Sequence, residues 1–198
     1  LCFVFISINI SSNTFAKTVG TLDGSITINP AEPNGDHEWY ITPVDVTFHA
    51  EDDIQLAYIY YRITTEDETN PNWIQVDIRN QLTAKYDLTI SMNKDGVHIA
   101  IFYTVDHIGN IGPTHASDLI RIDMSSPEVS LRKEQISLYE MKFTANATDN
   151  TSDIYTVKFY VDDNIEPTSE DTTLPYEFNW KRIGIHTITA KARDVAGN

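Results

Sequence analysis

The chain has 198 residues, 41% hydrophobic and 11% aromatic, with a formal net charge of −15. That supplies apolar material for one large core or two small ones. The acidic excess excludes nucleic acid, whose phosphates call for clusters of Lys and Arg, and speaks against an anionic membrane surface.

In chain order, Leu1-Cys2-Phe3-Val4-Phe5-Ile6-Ser7-Ile8-Asn9-Ile10 is an uncharged apolar run followed by Ser11-Ser12-Asn13-Thr14. Small residues at Thr14 and Ala16 precede Lys17, so residues 1–16 read as part of a secretory signal peptide cleaved after Ala16. No basic segment precedes the run, which implies further residues upstream. The run is about half the ~20 apolar residues that a membrane-spanning helix needs. Cys2 is the only cysteine, so a mature chain has no disulfide framework and stands on its hydrophobic cores alone.

Beyond Lys17 helical periodicity is nearly absent. Val44 to Ala50 alternates apolar and polar residues at period two, the pattern of a half-buried strand. Leu56 to Ile63 is rich in tyrosine and β-branched residues. Trp73–Ile78, Tyr86–Ile90, Val97–Val105 and Leu119–Ile122 complete a first set of predicted strands. The intervening segments, among them Asn93-Lys94-Asp95-Gly96 and Ile108-Gly109-Asn110-Ile111-Gly112-Pro113, carry turn chemistry. Ser125-Ser126-Pro127 marks a boundary, because proline cannot donate to a ladder and borders edge strands. A second set follows: Val129–Leu131, Met141–Ala147, Ile154–Val161, Tyr176–Trp180 and Gly184–Arg193. Many short strands at this spacing predict an all-β protein of two tandem immunoglobulin-like β-sandwiches, residues 21–124 and 125–198.

An internal repeat supports the division. Residues 96–110 align without a gap on residues 184–198, each reading G-[VI]-H, a long alternating strand, then D-x-x-G-N. Ala50-Glu51-Asp52 corresponds in the same way to Ala147-Thr148-Asp149. The second unit has no counterpart of Leu119–Ile122, so a final strand is expected beyond residue 198, where its absence would leave an unpaired edge.

In D-x-x-G-N the aspartate accepts backbone N–H groups across the turn and glycine supplies a positive φ. Turn chemistry therefore explains each residue. The functional alternative is calcium, a hard cation that takes six to eight oxygen ligands. Its candidate ligands are Asp52, Asp53 and Asp106 at one end of the first unit, with Asp149 and Asp194 at the matching end of the second. No D-x-D-x-D-G loop supports that alternative by spacing.

A-x-D, an aromatic strand, G-x-H-x-[IV] and D-x-x-G-N together resemble the immunoglobulin-like repeats of prokaryotic surface and secreted proteins. Residues 33–47, with Trp39-Tyr40 and Pro43-Val44-Asp45-Val46-Thr47, are similar to the opening segment of such repeats. Ile122-Asp123-Met124-Ser125-Ser126-Pro127 is similar to the I-D-x-x-x-P linker between them; the second unit departs by lacking a W-Y opening. The resemblance implies a secreted or cell-surface location, neighbouring domains of the same polypeptide as partners, and a cell-envelope polymer or protein as ligand.

Few residues stand in patterns that carry chemistry. The histidines are scattered, with no H-E-x-x-H pair for zinc, and neither G-x-S-x-G nor a P-loop occurs. The chain is therefore expected not to be an enzyme and to need no cofactor beyond the calcium alternative. His98 and His186 hold one repeat position and are expected to pack at a sheet surface. Among the aromatics, Trp39 and Trp73 border loops and are the candidates for an exposed sugar-binding platform; core packing is the competing reading. Asn146-Ala147-Thr148 and Asn150-Thr151-Ser152 match N-glycosylation acceptors at Asn146 and Asn150. Two functions follow, a spacer or adhesive array and a carbohydrate-binding accessory module of a secreted hydrolase.

Overall fold

A computed structural model describes residues 21–65, 72–162 and 164–198 of the chain. The expected signal peptide, residues 1–16, lies outside the described residues.

The first sandwich contains β1 (Asp23–Asn29), β2 (Trp39–Tyr40), β3 (Val44–Glu51), β4 (Leu56–Thr65), β5 (Ile74–Asp77), β6 (Lys85–Met92), β7 (Gly96–Asp106), β8 (His115–Ala116) and β9 (Ile120–Ile122). One sheet has the order β1-β3-β6 and the facing sheet β2-β9-β7-β4-β5, with β8 pairing β7. All these ladders are antiparallel except that of β2 with β9. Period-two alternation explains which sides meet: on β3 Val44, Val46, Phe48 and Ala50 are buried, and on β7 Ala100 and Phe102. They join Leu56, Ile59, Ile78, Ile120 and Ile122 in one core.

The second sandwich contains β10 (Glu128–Ser137), β11 (Glu140–Thr148), β12 (Ile154–Val161), β13 (Ser169–Asp171), β14 (Tyr176–Trp180) and β15 (Ile188–Asp194). Its sheets run β10-β11-β14 and β13-β12-β15. Phe143, Ala145, Val157, Phe159, Val161, Tyr176 and Phe178 form a separate core. The repeat extends to a backbone irregularity. The β4–β7 register shifts between Leu56 and Tyr58, and the β12–β15 register shifts at the same place, between Ile154 and Thr156.

Among the described residues β15 pairs on one side only, whereas its counterpart β7 lies between β4 and β9. The second sandwich is accordingly open along that flank. A groove lined by Leu131, Phe143, Trp180 and Ile188 lies there, and Phe143 and Phe178 keep 9% and 8% of their surface where Phe48 and Phe102 keep none.

Strand register places the ends. Asp23 pairs Glu51 and Leu56 pairs Asp106 at the leading end of the first sandwich; Val44 pairs Met92 and Gly96 pairs Ile122 at the trailing end. The chain thus enters at one end and leaves at the other. In the second sandwich Glu128 pairs Thr148 and Ile154 pairs Asp194, so loops 149–153 and 195–198 face the first sandwich.

Candidate functional site at the junction

The two sandwiches meet through hydrogen-bond contacts on backbone carbonyls. The Asp36 N–H donates to Ala196 O at 2.7 Å, and His37 Nδ1 lies 3.1 Å from Val195 O. Asn198 Nδ2 donates to Asp123 O at 2.9 Å. The contact is close enough to select glycine at Gly35, where a Cβ would stand 2.5 Å from Ala196 O and 2.9 Å from Trp39 O. An ion pair from Asp36 to Arg193 at 2.7 Å adds little, since both side chains are nearly half exposed. The segment that resembles a module opening, residues 33–47, is therefore also the docking surface for the loop after β15.

Three aspartates converge beside these contacts. Asp123 follows β9, Asp149 follows β11 and Asp194 ends β15, and carboxylate oxygens of the three lie within 4.8 Å of one another. Among the described residues no other group of three His, Cys, Asp or Glu side chains is this close. Asp123 is 0% exposed and Asp194 1%. Local turn chemistry occupies one oxygen of each. Asp123 Oδ1 accepts the Ser125 N–H, Asp149 Oδ1 the Thr151 and Ser152 N–H groups, and Asp194 Oδ1 those of Gly197 and Asn198. Asp123 Oδ2 and Asp194 Oδ2 are buried without a partner. None of the three carboxylates is ion-paired to Lys, Arg or His among the described residues. Burial raises the Asp123 carboxyl above the ordinary carboxylate range; Asp149 and Asp194 push the same way, against the Ser152 hydroxyl and the Ser125 N–H.

The equivalent pair in the first sandwich differs at Asp106 alone, since Asp52 Oδ1 is likewise buried without a partner. Asp52 Oδ2 accepts the Ile54 and Gln55 N–H groups, and Asp106 Oδ1 those of Ile108 and Asn110. The Asn110 amide then folds back onto Asp106 Oδ2 and satisfies it. In the second sandwich the matching Asn198 reaches across the junction to Asp123 O, which leaves Asp194 Oδ2 free. Asp53 is exposed and joins neither group. The glycines of both motifs adopt positive φ, 87° at Gly109 and 105° at Gly197, as the turn reading requires.

The tryptophans separate. Trp39 is 8% exposed, which corrects the expectation that it borders solvent: β2 pairs β9 and draws Trp39 and Tyr40 inward. Trp73 is 37% exposed and meets Tyr103 edge-on at 4.8 Å, with the Arg62 guanidinium 4.6 Å over its ring. Tyr60 stacks on Tyr103 at 4.9 Å and lies 6.2 Å from Tyr58, whereas Tyr61 turns to the core and touches Phe48 at 5.5 Å. The histidines differ from expectation too. His98 is buried at 3% with Nε2 2.8 Å from Lys94 O, while His186 lies outside a strand, its Nδ1 2.6 Å from Asp162 Oδ2. Asn146 on β11 and Asn150 in the following loop are both exposed.

Two facing, almost wholly antiparallel sheets in each half define a tandem immunoglobulin-like β-sandwich protein. Residues 132–190 match the bacterial Ig domain family. The fibronectin(III)-like modules of Clostridium thermocellum CbhA are similar at 20% identity, over 87% of this chain and 88% of that one, with a TM-score of 0.37. The FN1–FN3 domains of chicken CNTN1 are similar at 12% identity, over 84% of this chain and 61% of that one, with a TM-score of 0.33. No curated protein matches the chain. Among the described residues no helix is long and apolar enough to cross a membrane.

Proposed function

We propose that the chain is a non-catalytic spacer or adhesive array within a larger secreted or cell-surface protein. One observation carries this reading: the chain enters the first sandwich at one end, leaves at the other, and there docks on the second through hydrogen bonds from Asp36 N–H and the Asn198 amide to backbone carbonyls. A polypeptide built this way separates whatever it joins by a defined length.

The aromatic row of Tyr58 and Tyr60 on β4, Tyr103 on β7 and Trp73 just before β5 favours a second reading, a carbohydrate-binding accessory module. Co-sedimentation of the chain with insoluble polysaccharides and cell-wall material separates the two. The spacer reading expects no saturable binding and no difference between the wild type and Trp73→Ala. Saturable binding that falls tenfold or more in Trp73→Ala, about the loss of one aromatic stacking contact of ~1.4 kcal/mol, would establish the carbohydrate reading instead.

A further inference from the structure

We propose that Asp123, Asp149 and Asp194 form a calcium site that fastens the two sandwiches together at their junction.

The first ground is electrostatic. Two fully buried carboxylates and a third half-buried one lie with oxygens within 4.8 Å, and no cationic side chain pairs with them among the described residues. Unpaired buried charge is costly, and proteins resolve it with a partner, a proton or a metal. The second ground is geometric. Asp123 Oδ2 and Asp194 Oδ2 have no hydrogen-bond partner although each carboxylate's other oxygen is held by backbone N–H groups. The turns thus fix the carboxylates and leave one oxygen of each available. The third ground is the contrast inside the repeat. The Asn110 amide consumes the second oxygen of Asp106, and Asn198 instead spans the junction and spares that of Asp194.

The donor set selects the ion. It is all oxygen and carries three formal negative charges, which suits a hard divalent cation rather than zinc or copper. A cation with calcium–oxygen distances of about 2.3–2.6 Å bridges oxygens up to roughly 5 Å apart and accepts ligands in irregular arrangement, with water completing the shell. Magnesium demands near-octahedral order, which ligands from three separated segments on two sandwiches are poorly placed to supply. Because Asp123 belongs to one sandwich and the other two aspartates to the next, the ion would bind only the docked arrangement. Its binding free energy then stabilises that arrangement by mass action. The site is independent of whether the chain acts as a spacer or binds polysaccharide.

The test is thermal unfolding and titration calorimetry of the full chain after chelation, with and without calcium at about 10 mM, a concentration that saturates extracellular sites of ordinary affinity. The expected result is one calcium bound per chain and a rise in Tm of roughly 5 °C or more. Asp123→Asn and Asp194→Asn each keep the oxygen that caps the local turn, so they should fold, melt no lower than the wild type without calcium, and lose the calcium response. Asp106→Asn, which alters the equivalent motif outside the cluster, should keep it. Absence of calcium binding by the wild type would overturn the proposal, as would a calcium response undiminished in Asp123→Asn.

Discussion

Replacing Phe102 by alanine is expected to destabilise the first sandwich by about 3–5 kcal/mol, a large share of the ~5–15 kcal/mol that a domain possesses. Phe102 lies in the middle of β7, is fully buried, and meets Phe48 of the facing sheet at 5.0 Å and His115 at 5.2 Å. Its ring also fills the space beside Gly24 on β1, where an added Cβ would stand 2.6 Å from Phe102 Cζ. Truncation therefore empties a place that neither sheet can close without breaking its ladders. The two cores share no residue, so the loss should stay on one side of the junction. Hydrogen exchange read residue by residue should show lowered protection in β3, β4, β6 and β7 and near-native protection in β11, β12 and β14. Equal loss in both sandwiches would mean that they unfold as one unit.

Asp106→Ala is expected to cost about 1.5–3 kcal/mol, the range for a hydrogen-bonded charged group whose donors are left without an acceptor. Asp106 is 5% exposed and accepts from Ile108 N–H, Asn110 N–H and the Asn110 amide. Asn at this position keeps the oxygen that binds the two backbone donors and turns an amide toward Asn110, so Asp106→Asn should fall between wild type and alanine. The cost should be the same with calcium and with chelator, because both oxygens of Asp106 are engaged inside its own turn. A cost that appears only in calcium would assign Asp106 to a metal site. Thermal melts of the three proteins in both buffers decide the matter.

Much of the fold is legible in the sequence because alternation and repetition are local signals. Val44–Glu51 buries its alternate residues, and the 96–110 and 184–198 alignment recurs as paired turns with matching bulges upstream. Four strands escape that reading: β2 and β8 are only two residues long, and β1 and β13 escape for other reasons. In β1 the alternation of Ile26 and Ile28 with Thr27 and Asn29 was present but short, and its residues are at most half-buried. In β13, Ser169-Glu170-Asp171 contains no apolar residue, and only pairing with β12 makes it a strand. Gly184 to Thr187 fall outside β15 although they match the start of β7, since no β9 equivalent pairs with them among the described residues.

The junction cluster was legible only in part. Asp149 and Asp194 stand out in the sequence as repeated turn residues, whereas Asp123 reads as linker. Its role depends on contact across the chain: β2 and β9 draw Asp123 inward, its N–H donating to Tyr40 O at 2.9 Å, and the second sandwich then closes over it. The linker pattern I-D-x-x-x-P was the available signal, since its acidic residue must lie next to the leading loops of the following sandwich. Trp39 misled for a related reason. Its neighbours in sequence form a loop, whereas its burial comes from residues about eighty positions later.

The most direct test of the end-to-end arrangement is nitrogen-15 relaxation of the full chain in millimolar calcium. The account predicts that the strands of both sandwiches report one common rotational correlation time, anisotropic and long for a single rigid body. Two distinct, shorter correlation times, each that of a sandwich tumbling alone, would contradict it and reduce the junction contacts to an incidental touch between independent modules.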